Sequence, residues 1–207
     1  MLSRYSNMNN LALRLLAISI LSAAVLSGCL STPPAPPSDE EQATWDGAIK
    51  QMKRKRYEKA IPTLQKISTA QPSLPGPQLN LGIAQANLGH DQQALVHLNQ
   101  ALKLGPQLAD DQANAWNQIG LIQVRAGQYK DAIKSYKRAL VIAPGDDKAQ
   151  FNLALVYDNY LNDPNEAMRQ YKLYQAMRSK PDNAVGLFIK RIELEQQSAL
   201  QQASTSQ

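Results

Sequence analysis

The chain has 207 residues and a formal net charge of +5, and its composition excludes or disfavours several kinds of protein. It has 22 lysines and arginines and 17 acidic residues. This excess of positive charge is too small to predict nucleic-acid binding by itself. The single cysteine, Cys29, excludes an internal disulfide bond. Aromatic residues make up only 6% of the chain, and no alternating run of β-branched residues appears, so the composition favours an all-α protein.

The first 28 residues are predicted to be a lipoprotein signal peptide. Arg4 and Arg14 precede an apolar run over residues 15–25, which is too short to span a bilayer comfortably. Leu-Ser-Gly-Cys then ends at Cys29 and resembles the bacterial lipobox. The resemblance implies cleavage before Cys29 and a covalent lipid on that residue, and several acyl chains give stable anchoring. The alternative is an ordinary secretory signal with an incidental cysteine.

Residues 29–38 are predicted to form a lipidated linker. Four prolines lie between residues 33 and 37, a composition typical of an extended polyproline-type spacer. The residue directly after the cysteine is Leu30 and not an aspartate. In enteric-type sorting, this pairing implies the outer membrane. We therefore expect a protein anchored by lipid on the periplasmic face of the outer membrane of a Gram-negative bacterium.

One pattern of small and large residues recurs along most of the remaining chain. It is clearest in Trp116, Ile119, Gly120, Ala132, Tyr136, Ala139 and Pro144. The same places hold Ala48, Ala60, Leu64 and Pro72; then Leu81, Gly82, Ala94, Leu98, Ala101 and Pro106; and finally Leu153, Ala154, Ala167 and Tyr171. This spacing resembles the tetratricopeptide repeat (TPR), a helix–turn–helix unit of 34 residues.

The resemblance implies an all-α TPR solenoid of about four units plus a C-terminal capping helix. The solenoid is predicted over residues 39–181, with units at about 41–74, 75–108, 113–146 and 147–181. A capping box formed by Ser38 and Glu41 predicts that the first helix starts at Asp39. Residues 182–201 are predicted to form the final helix, which either caps the last unit or docks a partner. Residues 202–207 are predicted to be a disordered tail.

No motif for catalysis or metal binding is present. The sequence has no nucleophile motif, phosphate-binding glycine loop or zinc motif, and no further ligands accompany the two histidines, His90 and His97. We therefore predict that the protein is not an enzyme, has no cofactor apart from the lipid on Cys29, and holds no metal. A hydrolase is the alternative class, and it would require a nucleophile placed against a base in a closed pocket.

Function is therefore predicted to be binding, in the concave groove that TPR arrays form. In this family, exposed residues of each first helix line the groove. By that resemblance the candidates are Asn80, Ile83, Asn87, Asn117, Leu121, Arg125, Phe151, Asn152, Leu155 and Asn159. Asparagine amides can pair with the backbone of an extended peptide, and apolar side chains supply pockets for a peptide or helix. The alternative is that these are ordinary exposed positions.

A second candidate site is a basic run. Lys53, Arg54, Lys55 and Arg56 are the densest charge in the chain. One interpretation is a solvated helix end whose cations complement the helix dipole. The other is a patch that faces anionic lipid headgroups or an acidic partner.

Together these features predict a lipid-anchored periplasmic scaffold that binds envelope proteins, without nucleic acid or a small-molecule substrate. The layout of lipobox, spacer and stacked units resembles the pilotin lipoproteins of type IV pili, which help secretin subunits reach the outer membrane. The alternatives are an adaptor for peptidoglycan enzymes and an accessory of an envelope transport or motility complex.

Overall fold

The computed structural model describes residues 38–105 and 108–205. Within these ranges the chain forms nine α-helices and no β-strand. The helices are α1 (Asp39–Lys53), α2 (Tyr57–Ala70), α3 (Pro75–Asn87), α4 (Asp91–Leu104), α5 (Ala109–Arg125), α6 (Tyr129–Ile142), α7 (Asp147–Asn159), α8 (Pro164–Ala176) and α9 (Asn183–Thr205). Cys29, the predicted signal peptide and the proline-rich linker up to residue 37 lie outside the described residues.

The helices follow one another as helix–turn–helix pairs. Helices α3 and α4, α5 and α6, and α7 and α8 make the most extensive contacts. Each second helix also contacts the first helix of the next pair, and α3 lies against α5 as α5 lies against α7. Because no pair can bury its apolar face alone, successive pairs share their buried clusters.

A small residue in each first helix lets the second helix approach closely. A Cβ atom on Gly120 would lie 2.5 Å from Cε1 of Tyr136, and one on Gly82 would lie 2.6 Å from Cγ of Leu98. Tyr136 is only 1% exposed and Leu98 is fully buried. The pattern of small and large residues in the sequence is therefore the packing interface within each pair.

One helix start confirms a local prediction, and a second start has a side-chain cap of a similar kind. The Glu41 backbone N–H donates to Ser38 Oγ at 3.2 Å, and the Ser38 backbone N–H donates to a Glu41 carboxylate oxygen at 2.8 Å. This reciprocal pair is the predicted capping box. At α8, Asp163 accepts a hydrogen bond from the backbone N–H of Glu166, and Pro164 is the first helical residue.

Helix α9 packs against the end of the array. Val185 and Ile192 are buried in a cluster with residues of α7 and α8. Arg191 donates from Nη2 to both carboxylate oxygens of Asp158 in α7 at 2.7 Å. On the other side, Leu187 is 68% exposed and Leu194 is 55% exposed. The buried side of α9 covers the last unit, whereas the exposed leucines leave the predicted docking alternative open.

Helix α9 is longer than the sequence predicted. The final helix was expected to end at residue 201 and to be followed by a disordered tail over 202–207, but the helix continues to Thr205. Alanine and glutamine dominate this last stretch, and both propagate a helix that is already nucleated. No helix among the described residues is long and apolar enough to cross a membrane.

Replacing Gly120 with alanine tests the close crossing of α5 and α6. The added methyl group would collide with the buried Tyr136 ring, so the Gly120→Ala protein should lose about 1–3 kcal/mol of unfolding free energy. The matched control is Gly186→Ala in α9, where the added Cβ would meet no atom within 4 Å apart from the adjoining backbone and chain neighbours. The control should match or exceed wild type, by up to about 0.5–1 kcal/mol. Equal thermal midpoints for both variants would contradict this packing.

Candidate partner-binding surface

Helices α3, α5 and α7 lie side by side and bring equivalent residues into three rows. We call these nine residues the first-helix surface. The first row is Asn80, Gln118 and Asn152; the second is Ile83, Leu121 and Leu155; the third is Asn87, Arg125 and Asn159. The first two rows are half-buried and the third is exposed. Each unit therefore presents an amide, an aliphatic side chain and a polar or charged side chain in the same order.

Gln118 is a member of this surface that the sequence-based prediction missed. It occupies the place in α5 that Asn80 and Asn152 occupy in α3 and α7. The prediction named Asn117 in this helix instead. The repeat spacing alone would have identified Gln118, because it aligns the three positions whatever amide they carry.

The aliphatic row is partly accessible. Ile83 packs against the buried clusters on both sides of α3. Leu121 packs against the buried cluster of α6 and α7, and Leu155 packs against the buried cluster of α7, α8 and α9. Each side chain is held in place by the core while part of it stays exposed. A partner could therefore bury apolar surface here without any rearrangement of the array.

Two asparagine amides of this surface, those of Asn80 and Asn87, are oriented by their own helices. Asn80 Nδ2 donates to the Gly76 carbonyl oxygen at 2.9 Å, and Asn87 Nδ2 donates to the Ile83 carbonyl oxygen at 2.8 Å. Because a carbonyl oxygen only accepts, these bonds fix which end of each amide points away. Neither amide oxygen accepts a hydrogen bond within the described part of the chain. The surface thus offers hydrogen-bond acceptors, which suit the N–H groups of a partner backbone.

Asn117 does not belong to the accessible surface, contrary to the sequence-based prediction. Its side chain is only 3% exposed. Its Oδ1 accepts a hydrogen bond of 2.9 Å from Asn152 Nδ2, which links α5 to α7. The close approach of neighbouring first helices buries this position. Asn117 therefore has a structural role between units.

Phe151 is also engaged within the chain. Its ring centroid lies 5.2 Å from that of Tyr174 and 6.1 Å from that of Tyr171, both in α8. These are tilted aromatic contacts of the kind that stabilise a core. Phe151 remains half-buried, so only part of the ring is available to a partner.

Arg125 connects two units at the edge of the surface. Its guanidinium forms an ion pair with Asp91 at the start of α4, where Nε donates to Oδ2 at 3.1 Å. Its Nη2 also donates to the Ala86 carbonyl oxygen in α3 at 3.4 Å. The hydrogen bond and charge of Arg125 lower the pKa of the Asp91 carboxyl group. The Arg125 side chain is still 44% exposed, so it is both a bridge and an accessible cation.

Both histidines are used in internal contacts. His90 Nδ1 lies 2.7 Å from Gln85 Oε1, and His97 Nδ1 lies 2.8 Å from Gln78 Oε1. Burial lowers the pKa of His97 and favours its neutral form. Across residues 38–105 and 108–205, no group of three His, Cys, Asp or Glu side chains could hold a metal ion.

Comparison with known proteins agrees with this fold. Residues 113–146 match the family model described as tetratricopeptide repeat. Over 75 residues, or 36% of this chain and 5% of the relative, the sequence is 31% identical to Superkiller protein 3 of Schizosaccharomyces pombe. Over 102 residues, or 49% of this chain and 12% of the relative, it is 30% identical to protein O-mannosyl-transferase TMTC1 of Homo sapiens. The chain thus spans only a small part of each of these proteins.

Solved structures show the same architecture at low sequence identity. MamA (41-end) from Desulfovibrio magneticus RS-1 has a TM-score of 0.63 and 21% identity, with 81% of this chain and 91% of that chain covered. Pseudomonas aeruginosa pilF has a TM-score of 0.65 and 17% identity, with 77% and 70% covered. The fold is therefore an all-α tetratricopeptide array, which is generally used to bind partner proteins.

Truncation of Asn117 should affect stability. Asn117→Ala removes a buried acceptor and breaks the link from α5 to α7, so it should cost about 1–2 kcal/mol of unfolding free energy. Asn159→Ala is the matched control, because Asn159 is an exposed asparagine of the same kind of helix. The control should stay within about 0.5 kcal/mol of wild type. A thermal midpoint for Asn117→Ala equal to that of the control would contradict the buried role.

Proposed function

We propose that this protein is a non-enzymatic scaffold whose first-helix surface binds a segment of another envelope protein. The observation that carries the proposal is the repetition of one amide, one aliphatic and one polar position on α3, α5 and α7. A partner segment that crosses the three helices meets the same chemistry in each unit. This regularity suits an extended peptide or an amphipathic helix.

Each row has a distinct part in binding. The outward oxygens of Asn80 and Asn87 accept hydrogen bonds from partner N–H groups. The aliphatic row supplies the apolar area that gives most of the affinity. Arg125 offers one cation, which is already paired with Asp91. Because the surface carries little unpaired charge, salt should weaken binding only modestly.

The scaffold is proposed to be held at the membrane by lipid on Cys29, on the periplasmic face of the outer membrane. The lipobox at residues 26–29 and the proline-rich stretch after it support this part of the proposal. The pilotin-like layout of the sequence supports a role in pilus or secretin assembly, and the fold resembles that of Pseudomonas aeruginosa pilF. Positioning of peptidoglycan enzymes and support of an envelope transport or motility complex are the alternative roles of the same scaffold.

Photocrosslinking tests the binding surface. A photoreactive phenylalanine analogue at Asn87 or Asn159 should capture a partner in living cells, because both side chains are exposed on the first-helix surface. The matched controls are Val96 in α4 and Val141 in α6, which are exposed on second helices. The captured protein is then purified and its affinity measured with Asn80→Ala. The loss of one acceptor should weaken binding by about 1 kcal/mol.

Capture of the same partner from Val96 or Val141, with none from the first-helix positions, would contradict the assignment. An unchanged affinity for Asn80→Ala would show that the amide row takes no part.

A separate substitution tests the anchor. Cys29→Ser removes the thiol that would carry the lipid, so the protein should leave the membrane fraction or accumulate as an uncleaved precursor. Fractionation with an antibody against the chain measures both outcomes. A Cys29→Ser protein that is still processed and sedimented with membranes would show that another feature anchors it, and would leave the binding surface unaffected.

A further inference from the structure

The turn between α1 and α2 carries an unusual density of positive charge. Lys53, Arg54, Lys55 and Arg56 form this turn and its borders, and we call them the basic turn. All four side chains are exposed. Lys50 and Lys59 flank them and are exposed as well. Residues 50–59 thus hold six cations and a single acidic residue, Glu58.

The cations of the basic turn have no carboxylate partner among the described residues. The ion pairs found there use other cations, namely Arg125, Lys134, Arg169, Lys172, Arg178 and Arg191. Elsewhere in the array, basic side chains are therefore partly neutralised by neighbours. The charge of the basic turn remains free to act on an external anion.

The backbone of the basic turn gives an independent indication. Lys55 has a φ of +56°, whereas Gly89 and Gly127 occupy the same place in the next two turns with φ of +80° and +73°. Three equivalent hydrogen bonds establish this correspondence, from the N–H groups of Arg56, His90 and Gln128 to the carbonyl oxygens of Gln51, Gln85 and Gln123 at 3.0, 2.9 and 2.8 Å.

Lysine is a poor choice for this backbone conformation. Glycine adopts it without a steric penalty, while any Cβ atom crowds the following carbonyl group. The other two turns of this kind have glycine at this position. The first turn has Lys55 instead, which costs some stability. A strained residue that persists in one unit is a reason to look for a function.

The surroundings favour a membrane surface over an acidic protein. Protein interfaces usually combine charge with an apolar centre, and lysine is depleted from that centre. The large apolar side chains that are exposed in the described residues lie at Val96 or beyond, so α1 and α2 contribute none. Exposed cations on a turn, without a large exposed apolar side chain in these helices, match a delocalised layer of negative charge.

We propose that the basic turn binds the phosphates of anionic phospholipid headgroups at a membrane surface. The interaction is electrostatic and does not require insertion of apolar side chains. It is independent of partner binding at the first-helix surface, and it acts whether or not Cys29 carries lipid. Where the chain is anchored, the basic turn adds a second contact that orients the array relative to the bilayer.

The expected strength follows from the number of cations in contact. Each lysine or arginine close to an anionic surface raises the partition coefficient about fivefold. Loss of the basic turn should therefore reduce partitioning at least about 25-fold, the effect of two cations in contact. The effect should fade as salt rises, because the Debye length falls from about 10 Å at 0.1 M to about 3 Å at 1 M.

The experiment compares vesicles of phosphatidylcholine alone with vesicles that also contain phosphatidylglycerol, using the full chain. The ratio of the two partition coefficients is the anionic preference, and it cancels any affinity of the N-terminal segment for bilayers in general. Wild type should show a strong preference that 1 M salt removes. The variant with Lys53, Arg54, Lys55 and Arg56 changed to Gln should lose it.

A matched control removes the same charge elsewhere. Lys130, Lys134, Lys137 and Lys148 are all exposed, and their change to Gln should leave the anionic preference within about twofold of wild type. An equal loss in the two variants would assign the effect to net charge and overturn the proposal.

Two further outcomes would overturn the proposal. The first is a wild-type chain without anionic preference, including a chain that binds poly-glutamate instead. The second is stronger displacement from anionic vesicles by inorganic phosphate than by chloride at matched ionic strength, which would indicate a small-anion site.

A single substitution links the strain to the function. Lys55→Gly should raise the thermal midpoint and lower the anionic preference about fivefold. Asn162→Gly is its control, because Asn162 also has a positive φ, of +50°, and is uncharged. That control should keep the full anionic preference. A Lys55→Gly protein that also keeps it would overturn the proposal, since the strained cation would then have no part in binding.

Discussion

The close crossing of the two helices in each unit constrains the rest of the structure. Gly82 and Gly120 leave room for Leu98 and Tyr136, which are almost completely buried. A helix pair that crosses at this distance presents a defined apolar face, and only the next pair can cover it. The stacking of units, the alignment of the first helices and the exposure of their outer positions all follow from this contact. Alanine takes the place of glycine in the last unit, at Ala154, which lies in one buried cluster with Tyr171.

Contacts between units then decide which residues remain available for binding. Asn117 and Asn152 both seemed suited to a partner, but the bond between them uses the Oδ1 of one and the amino group of the other. Arg125 binds Asp91 and the Ala86 carbonyl group, so its charge also holds two units together. The proposed binding surface is thus what remains after the array has satisfied its own polar groups. Its rigidity follows from the same contacts, and a rigid surface loses less entropy when it binds.

The array carries two proposed binding surfaces that rely on different physical forces. The first-helix surface combines aliphatic area with oriented acceptors and has little free charge. The basic turn has charge without a large exposed apolar side chain in its helices, and Lys55 has a strained backbone. Such a division would let a scaffold contact a membrane and a protein at once. Screening by salt should weaken the membrane contact much more than the protein contact.

The sequence alone determined the repeat, the helix class and the start of the first helix, because these depend on local spacing and capping. The recurrence of a glycine or alanine in each first helix and of a large residue in each second helix was legible without coordinates, as was the Ser38–Glu41 capping box. The end of the last helix was predicted less well, because α9 continues to Thr205. Only the tertiary structure decided that Asn117 is buried and that Gln118 is a surface residue of the amide row. It also revealed the left-handed conformation of Lys55. These features depend on how neighbouring helices approach one another, and the distance between two helices is not encoded in the spacing of either one.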